Sequence, residues 1–83
     1  MSEDLVTLIE EASFSFRLGM EAKGNSQLIK IVDTLLAQLQ DGAIRLNIEK
    51  FNQDVKQIME AQARGDYLFV ADLLEYELAP SIH

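Results

Sequence analysis

The chain has 83 residues, of which 48% are hydrophobic and 25% are charged, and its formal net charge is −7. This composition is typical of a folded globular protein, and the length predicts a single domain, residues 1–83, with one small core. The acidic balance argues against nucleic acid as a partner, because binding a polyanion depends on lysine and arginine to displace its counterions.

Cysteine is absent from the sequence, which excludes disulfides, zinc–thiolate sites and thiol catalysis and is typical of an intracellular protein. The start of the chain, Met1 to Asp4, is acidic where a secretory signal would be basic. No apolar run approaches the roughly 18 residues that a membrane span needs. We therefore expect a cytoplasmic protein that has no membrane partner.

The first helix is predicted over residues 3–23. Ser2 is a candidate N-cap, since the carboxylates that follow it are favoured in a first helical turn, and Gly24 is expected to end the helix. The apolar positions of this segment repeat with a helical period: Leu5, Leu8, Ile9, Ala12, Phe16 and Met20.

The second helix is predicted over residues 26–40, with Asn25 or Ser26 as its N-cap and the Asp41-Gly42 pair as its end. It carries a broad apolar stripe: Leu28, Ile29, Ile31, Val32, Leu35, Leu36 and Leu39. This is the most clearly amphipathic segment of the chain.

The third helix is predicted over residues 47–64, although the pattern leaves its start open between positions 43 and 47. Its expected core face comprises Ile48, Phe51, Val55, Ile58 and Met59. Gly65 suits the left-handed position that ends a helix, and Asp66 can cap the next one, so a tight hairpin is expected here.

The fourth helix, residues 66–79, has two apolar faces. One face carries Tyr67, Val70, Ala71, Leu74 and Leu78, and the nearly opposite face carries Phe69, Leu73 and Tyr76. Such a helix is either surrounded by the rest of the fold or keeps one face for a partner. The sequence leaves both alternatives open for the second face.

Four helices with short connections predict an all-α fold, a small up-down-up-down bundle. In that arrangement Lys50 and Lys56 of the third helix lie beside the end of the fourth, near Glu75 and Glu77. Exposed ion pairs of this kind contribute about 0–1 kcal/mol each.

A di-iron site in a helical bundle needs Glu-x-x-His pairs, and the sequence has none. The only histidine is His83, the last residue, and the serines have no histidine base or glycine-rich elbow beside them. Single glycines do not form a phosphate loop. We therefore predict no catalytic residues, no metal, no cofactor and no enzymatic activity.

Residues 65–80, which read GDYLFVADLLEYELAP, resemble the C-terminal signature of a family of small, all-helical, uncharacterised bacterial proteins. The resemblance implies a helical fold and a bacterial cytoplasmic setting. It carries no activity and no functional residues.

Three classes of function remain, in order of preference: a protein–protein interaction or adaptor module, a self-assembling homodimeric bundle, and a ligand- or metal-binding bundle or enzyme. The first two rest on apolar side chains left over from the predicted core, because exposed apolar patches on small proteins usually mark contacts. The candidate partner-binding residues are Phe69, Leu73, Tyr76, Phe14 and Leu18. A second copy covering this face is the expected homodimer, although Phe69, Leu73 and Tyr76 are equally consistent with core positions.

Overall fold

The computed structural model describes residues 4–82. It contains four helices in that range: α1 Leu5–Arg17, α2 Glu21–Gln40, α3 Ile48–Ala63 and α4 Tyr67–Leu73. The last helix continues into a π-helical turn, Leu74–Leu78, and a 3₁₀ turn, Ala79–Ser81. The described residues contain no strand, and the predicted all-α, four-helix class is confirmed. Within that range no helix combines the length and apolar character needed to cross a membrane.

Consecutive helices are antiparallel, as predicted from their short connections. α1 packs against α2 and against α4, and α4 with its π-helical turn also packs against α3. α2 and α3, which would close the ring, are not among the closely packed pairs. Three of the four neighbouring helix pairs are therefore closely packed. We call the gap between the fourth pair, α2 and α3, the open seam of the bundle.

The core is built from one face of each helix, and its buried residues are Leu5, Ile9, Ala12, Phe16, Leu28, Ile31, Leu35, Ile58, Ala61, Val70, Ala71, Leu73, Leu74 and Leu78. The aromatic ring of Phe16 stacks on that of Tyr67, with centroids 5.6 Å apart, and this stack joins α1 to the start of α4. The predicted core stripes of α1 and α4 are thus largely confirmed. Met20 is the exception, because it is exposed.

The predicted boundary between the first two helices is wrong. α1 ends at Arg17 rather than near Lys23, and the chain reverses at Gly19, whose φ of +75° lies in the left-handed region that glycine adopts without strain. α2 then begins at Glu21, with no side-chain cap at Met20. The predicted caps, Asn25 and Ser26, lie inside α2.

Gly24 has a packing role instead of a helix-ending one. It is buried in the second turn of α2, and a Cβ atom built there would lie only 2.7–2.9 Å from three carbons of the Phe16 ring. The absence of a side chain therefore lets α2 approach the ring of Phe16 closely. This contact fixes how α1 and α2 cross.

The other helix ends follow local signals. Asp4 caps α1, since its carboxylate accepts a hydrogen bond from the N–H of Val6 at 3.1 Å, and the predicted cap Ser2 lies outside the described residues. Asn47 caps α3 by accepting from the N–H of Lys50 at 3.1 Å, which settles the start of that helix. The predicted turn at Gly65 and Asp66 is confirmed.

The end of α4 widens into a π-helical turn before the only proline. Pro80 has no N–H, and its ring would clash with the carbonyl four residues earlier in an α-helix, so the wider turn relieves this conflict. Lys50 of α3 covers the end of this segment, because its Nζ donates to the Glu77 carbonyl at 3.2 Å and to the Asp54 carboxylate at 2.8 Å.

Candidate functional site

The five residues predicted to bind a partner do not share one apolar surface. Leu73 is only 4% exposed and belongs to the core. At 100° per residue it lies closer to the buried Val70 than Phe69 and Tyr76 do, which places it at the edge of the core stripe. A Leu73→Asp substitution is therefore expected to unfold the domain and cannot serve as an interface probe.

The other four predicted residues are exposed, but charged groups lie between them. Phe69 lies under the guanidinium of Arg64, which is 5.5 Å from the ring centroid. Arg17, which neighbours Leu18 on α1, reaches across to the carboxylates of Asp72 and Glu75 on α4 at 3.0 and 3.2 Å. These ion pairs separate the apolar side chains of α1 from those of α4.

A polar network behind these ion pairs joins α1 to α4. The hydroxyl of the buried Ser13 lies 2.5 Å from Glu75 Oε1 and 3.3 Å from the Ala71 carbonyl oxygen. The hydrogen bond from Ser13, followed by that from Arg17, lowers the pKa of Glu75 below its ordinary value. Glu75 is thus held ionised and paired, as a structural carboxylate is, and it binds Arg17 rather than the lysines predicted for it.

The α3–α4 hairpin has a second ionic contact. Lys50 Nζ lies 2.8 Å from the carboxylate of the buried Asp54 and 3.4 Å from that of Glu77, and the second pairing was predicted from the sequence. The hydrogen bond that Lys50 donates to Asp54 is the largest cause of the raised pKa of Lys50. These groups are all satisfied by one another. They tie α3 to the end of α4.

An apolar groove of about 370 Å³ lies along the open seam between α2 and α3. Its residues are mostly aliphatic, with Leu78 reaching it from the π-helical turn: Asn25, Leu28, Ile29, Ile31, Val32, Asp33, Leu35, Phe51, Val55, Ile58, Met59, Gln62 and Leu78. We call this the α2/α3 groove.

The floor of the groove is buried core, whereas its walls are open to water. Ile29 on α2 is 66% exposed and Met59 on α3 is 61% exposed. Val32 on α2 is also exposed, and Val55 on α3 is half-buried. One end of the groove is closed by a hydrogen bond of 2.8 Å from the Gln62 amide to the Asn25 side-chain oxygen. The walls therefore offer aliphatic side chains to an apolar occupant.

The sequence contains a signal for this groove that the pattern analysis did not use. The apolar stripe of α2 includes seven positions, which is wider than one neighbouring helix can cover. In the structure Leu28, Ile31 and Leu35 are buried, while Ile29, Val32 and Leu36 remain exposed. The excess of apolar residues on α2 therefore marks the open seam.

No group of three or more histidine, cysteine, aspartate or glutamate side chains within residues 4–82 is placed to bind a metal ion. The one histidine, His83, lies outside that range. The polar members of the α2/α3 groove are Asn25, Asp33 and Gln62, and the two amides bond to each other. The arrangement can hold an apolar surface, and its polar groups lie at its margins.

The fold and the groove together define a small all-α bundle with one open, apolar seam. The chain belongs to the DUF8042 family, described as a domain of unknown function, whose model matches residues 19–83. The predicted membership of an uncharacterised family is thus confirmed over a longer stretch than the resemblance at residues 65–80. The match includes both walls of the α2/α3 groove, whereas Phe14 and Leu18 lie outside it. No curated protein and no solved structure matches the chain.

Proposed function

We propose that this protein is a non-enzymatic protein–protein interaction module, and that the α2/α3 groove binds the apolar face of a helix from another chain. The single observation that carries the proposal is the continuous aliphatic groove with exposed walls. An amphipathic helix laid into an apolar groove is a recurring mode of recognition. A helix bound there would complete the open seam of the bundle.

The energetics support a covered groove. Burying an aliphatic side chain fully is worth about 1.5–3 kcal/mol, and Ile29, Val32 and Met59 forgo much of that in the single chain. A domain of this size has a net stability of only about 3–5 kcal/mol from one core. Covering the groove would therefore add an amount comparable to the stability of the fold itself.

The family match supports the groove over the surface predicted from the sequence. The matched residues, 19–83, supply α2, α3 and the π-helical turn that line it. The predicted surface depends partly on Phe14 and Leu18, which the match leaves out, and partly on Leu73, which is buried. The proposal includes a bacterial cytoplasmic setting, which rests on the resemblance at residues 65–80 alone.

The non-enzymatic part of the proposal rests on the polar groups that are present. Ser13, Arg17, Asp72 and Glu75 bind one another between α1 and α4, away from the α2/α3 groove. Elemental analysis of the purified protein tests the accompanying expectation that it holds no catalytic metal. Stoichiometric iron, manganese or zinc would contradict it.

The test compares groove variants with matched variants elsewhere on the surface. Ile29→Glu and Met59→Glu place a charge on each wall, at side chains that are already mostly exposed, so the fold should be retained. Phe14→Ser and Tyr76→Ser are the controls, since these side chains are 63% and 68% exposed but lie outside the groove. Circular dichroism checks the helical content of all four.

Binding is measured by capture of partner proteins from the native host on each immobilised variant, together with the mass of each variant in solution. We expect the wild type and both controls to share a partner, or a self-associated state, that both groove variants lose. Equal binding by the groove variants and the wild type would refute the assignment. Loss of binding in Phe14→Ser or Tyr76→Ser, with binding retained in the groove variants, would instead favour the surface predicted from the sequence.

A further inference from the structure

The charges of the chain are distributed unevenly around the bundle. The formal net charge of the chain is −7. The segment from Asp66 onward, which includes α4, contributes −4 of it, because it has four acidic residues and no lysine or arginine. α2 is neutral, because two lysines balance one glutamate and one aspartate, and α3 carries a net charge of −1. Two copies of this acidic chain that meet through α2 and α3 therefore keep their acidic α4 segments out of the contact.

The charges beside the exposed walls of the α2/α3 groove have opposite signs on the two helices. Asp33 of α2 lines the groove, and Lys56 of α3 follows the wall residue Val55. A two-fold contact sets α2 of one copy on α3 of the other, so a negative group on one helix and a positive group on the other make the face complementary to itself.

We infer that the occupant of the α2/α3 groove is the same α2/α3 face of a second copy of the chain, in a two-fold symmetric homodimer. This inference rests on the proposed function and names its partner. A two-fold contact brings one surface against itself, so apolar walls and balanced charges are what it requires. The acidic α4 of each copy then lies away from the contact.

The hydrogen bond between Asn25 and Gln62 fixes the register of the two helices. Because α2 and α3 are antiparallel and both rise 1.5 Å per residue, Ile29 lies about level with Met59, and Val32 with Val55. A two-fold axis parallel to the helices would set α2 of one copy on α3 of the other at the same level. Ile29 would then meet Met59 of the second copy.

The same register pairs charges at the margin. Asp33 of one copy comes near Lys56 of the other, and the two-fold axis repeats the pair.

Sedimentation equilibrium over a concentration series tests the inference. The wild type should approach twice the chain mass of 9.4 kDa at high micromolar concentration. Ile29→Glu and Met59→Glu should each raise the dimer dissociation constant by about a hundredfold or more, because each buries two unpaired charges per dimer. Phe14→Ser should leave the constant unchanged. Unaltered circular dichroism shows that each variant is folded.

A charge swap tests the register. Lys56→Glu should weaken the dimer by roughly tenfold, since the altered pair occurs twice. Adding Asp33→Lys to it should restore the wild-type constant. A dimer that is insensitive to both groove variants, or that Tyr76→Ser splits instead, would overturn the inference. Equal dissociation constants for Lys56→Glu and the double variant would overturn the register.

Failure of the inference and failure of the proposed function give different results. A monomeric wild type whose groove variants lose a host protein would overturn the homodimer and leave the proposed function intact. A monomer whose groove variants lose nothing would overturn both. A small apolar molecule seen in the native mass spectrum, bound to the wild type and absent from Met59→Glu, would also overturn both and assign the groove to a ligand.

Discussion

Replacing Gly24 by alanine is expected to destabilise the protein, although glycine is the poorer helix former of the two. Alanine should gain about 1 kcal/mol from helix propensity in the interior of α2. Its Cβ would, however, lie 2.7–2.9 Å from the Phe16 ring, which is almost fully buried and held by its stack on Tyr67. Overpacking of a core site costs about 1–3 kcal/mol. We therefore expect a net loss of about 1 kcal/mol.

Guanidinium unfolding followed by circular dichroism measures this change, and the thermal midpoint should fall by about 4–8 °C per kcal/mol in a domain of this size. Ser26→Ala is the matched control, since Ser26 is exposed on the same helix. It should gain a few tenths of a kcal/mol from propensity alone. A Gly24→Ala variant that is stabilised as much as Ser26→Ala would refute the packing argument.

Replacing Phe16 by leucine is expected to reverse the sign of the stability change that Gly24→Ala causes. The smaller side chain should cost about 1–3 kcal/mol by leaving a cavity where the ring contacts Gly24. In that background Gly24→Ala no longer meets the ring and should stabilise the domain by about 1 kcal/mol. The double-mutant cycle should then give a coupling energy of about 2 kcal/mol. A coupling near zero would show that the ring moves aside without cost.

Three further predictions concern the core and the two ionic contacts. Leu74→Ala should lose about 2–5 kcal/mol by cavity formation, since Leu74 is fully buried, and a melting temperature near that of the wild type would contradict this. Lys50→Met should lose about 1–3 kcal/mol in urea unfolding, because Asp54 stays buried without its hydrogen bond, and Lys50→Met with Asp54→Asn should recover part of the loss. Glu75 has a folded pKa below its ordinary 4.5, so its contribution to stability is complete above that pH and is lost as the pH falls through the folded pKa. A Glu75→Gln variant should be about 1 kcal/mol less stable at neutral pH and show a shallower decline in acid, and parallel pH profiles would rule out this role.

The helix ends that depend on short-range signals were predictable from the sequence. Gly65 followed by Asp66 marks both the end of one helix and the cap of the next. The core stripe of α4 was also predictable, because Val70, Ala71 and Leu74 follow a helical period whatever their neighbours are. These features are decided within a few residues of the chain.

The boundary between α1 and α2 was not predictable in this way. Two glycines, Gly19 and Gly24, lie five residues apart, and the good capping residues follow the second one. Local signals therefore favour a break at Gly24. The fold breaks at Gly19 because Gly24 is needed against the Phe16 ring, and that contact joins two helices. Tertiary packing overrides the local preference here.

The placement of the exposed apolar surface follows from how many neighbours each helix has. α4 has two apolar faces because it lies between α1 and α3, and its second face is covered as far as Leu73. α2 has one close neighbour, α1, yet its apolar stripe is wider than that neighbour covers. A helix whose apolar stripe is wider than its neighbours cover leaves apolar side chains for a further partner to bury. The exposed Ile29 and Val32 are therefore stronger evidence for an interface than the two apolar faces of α4.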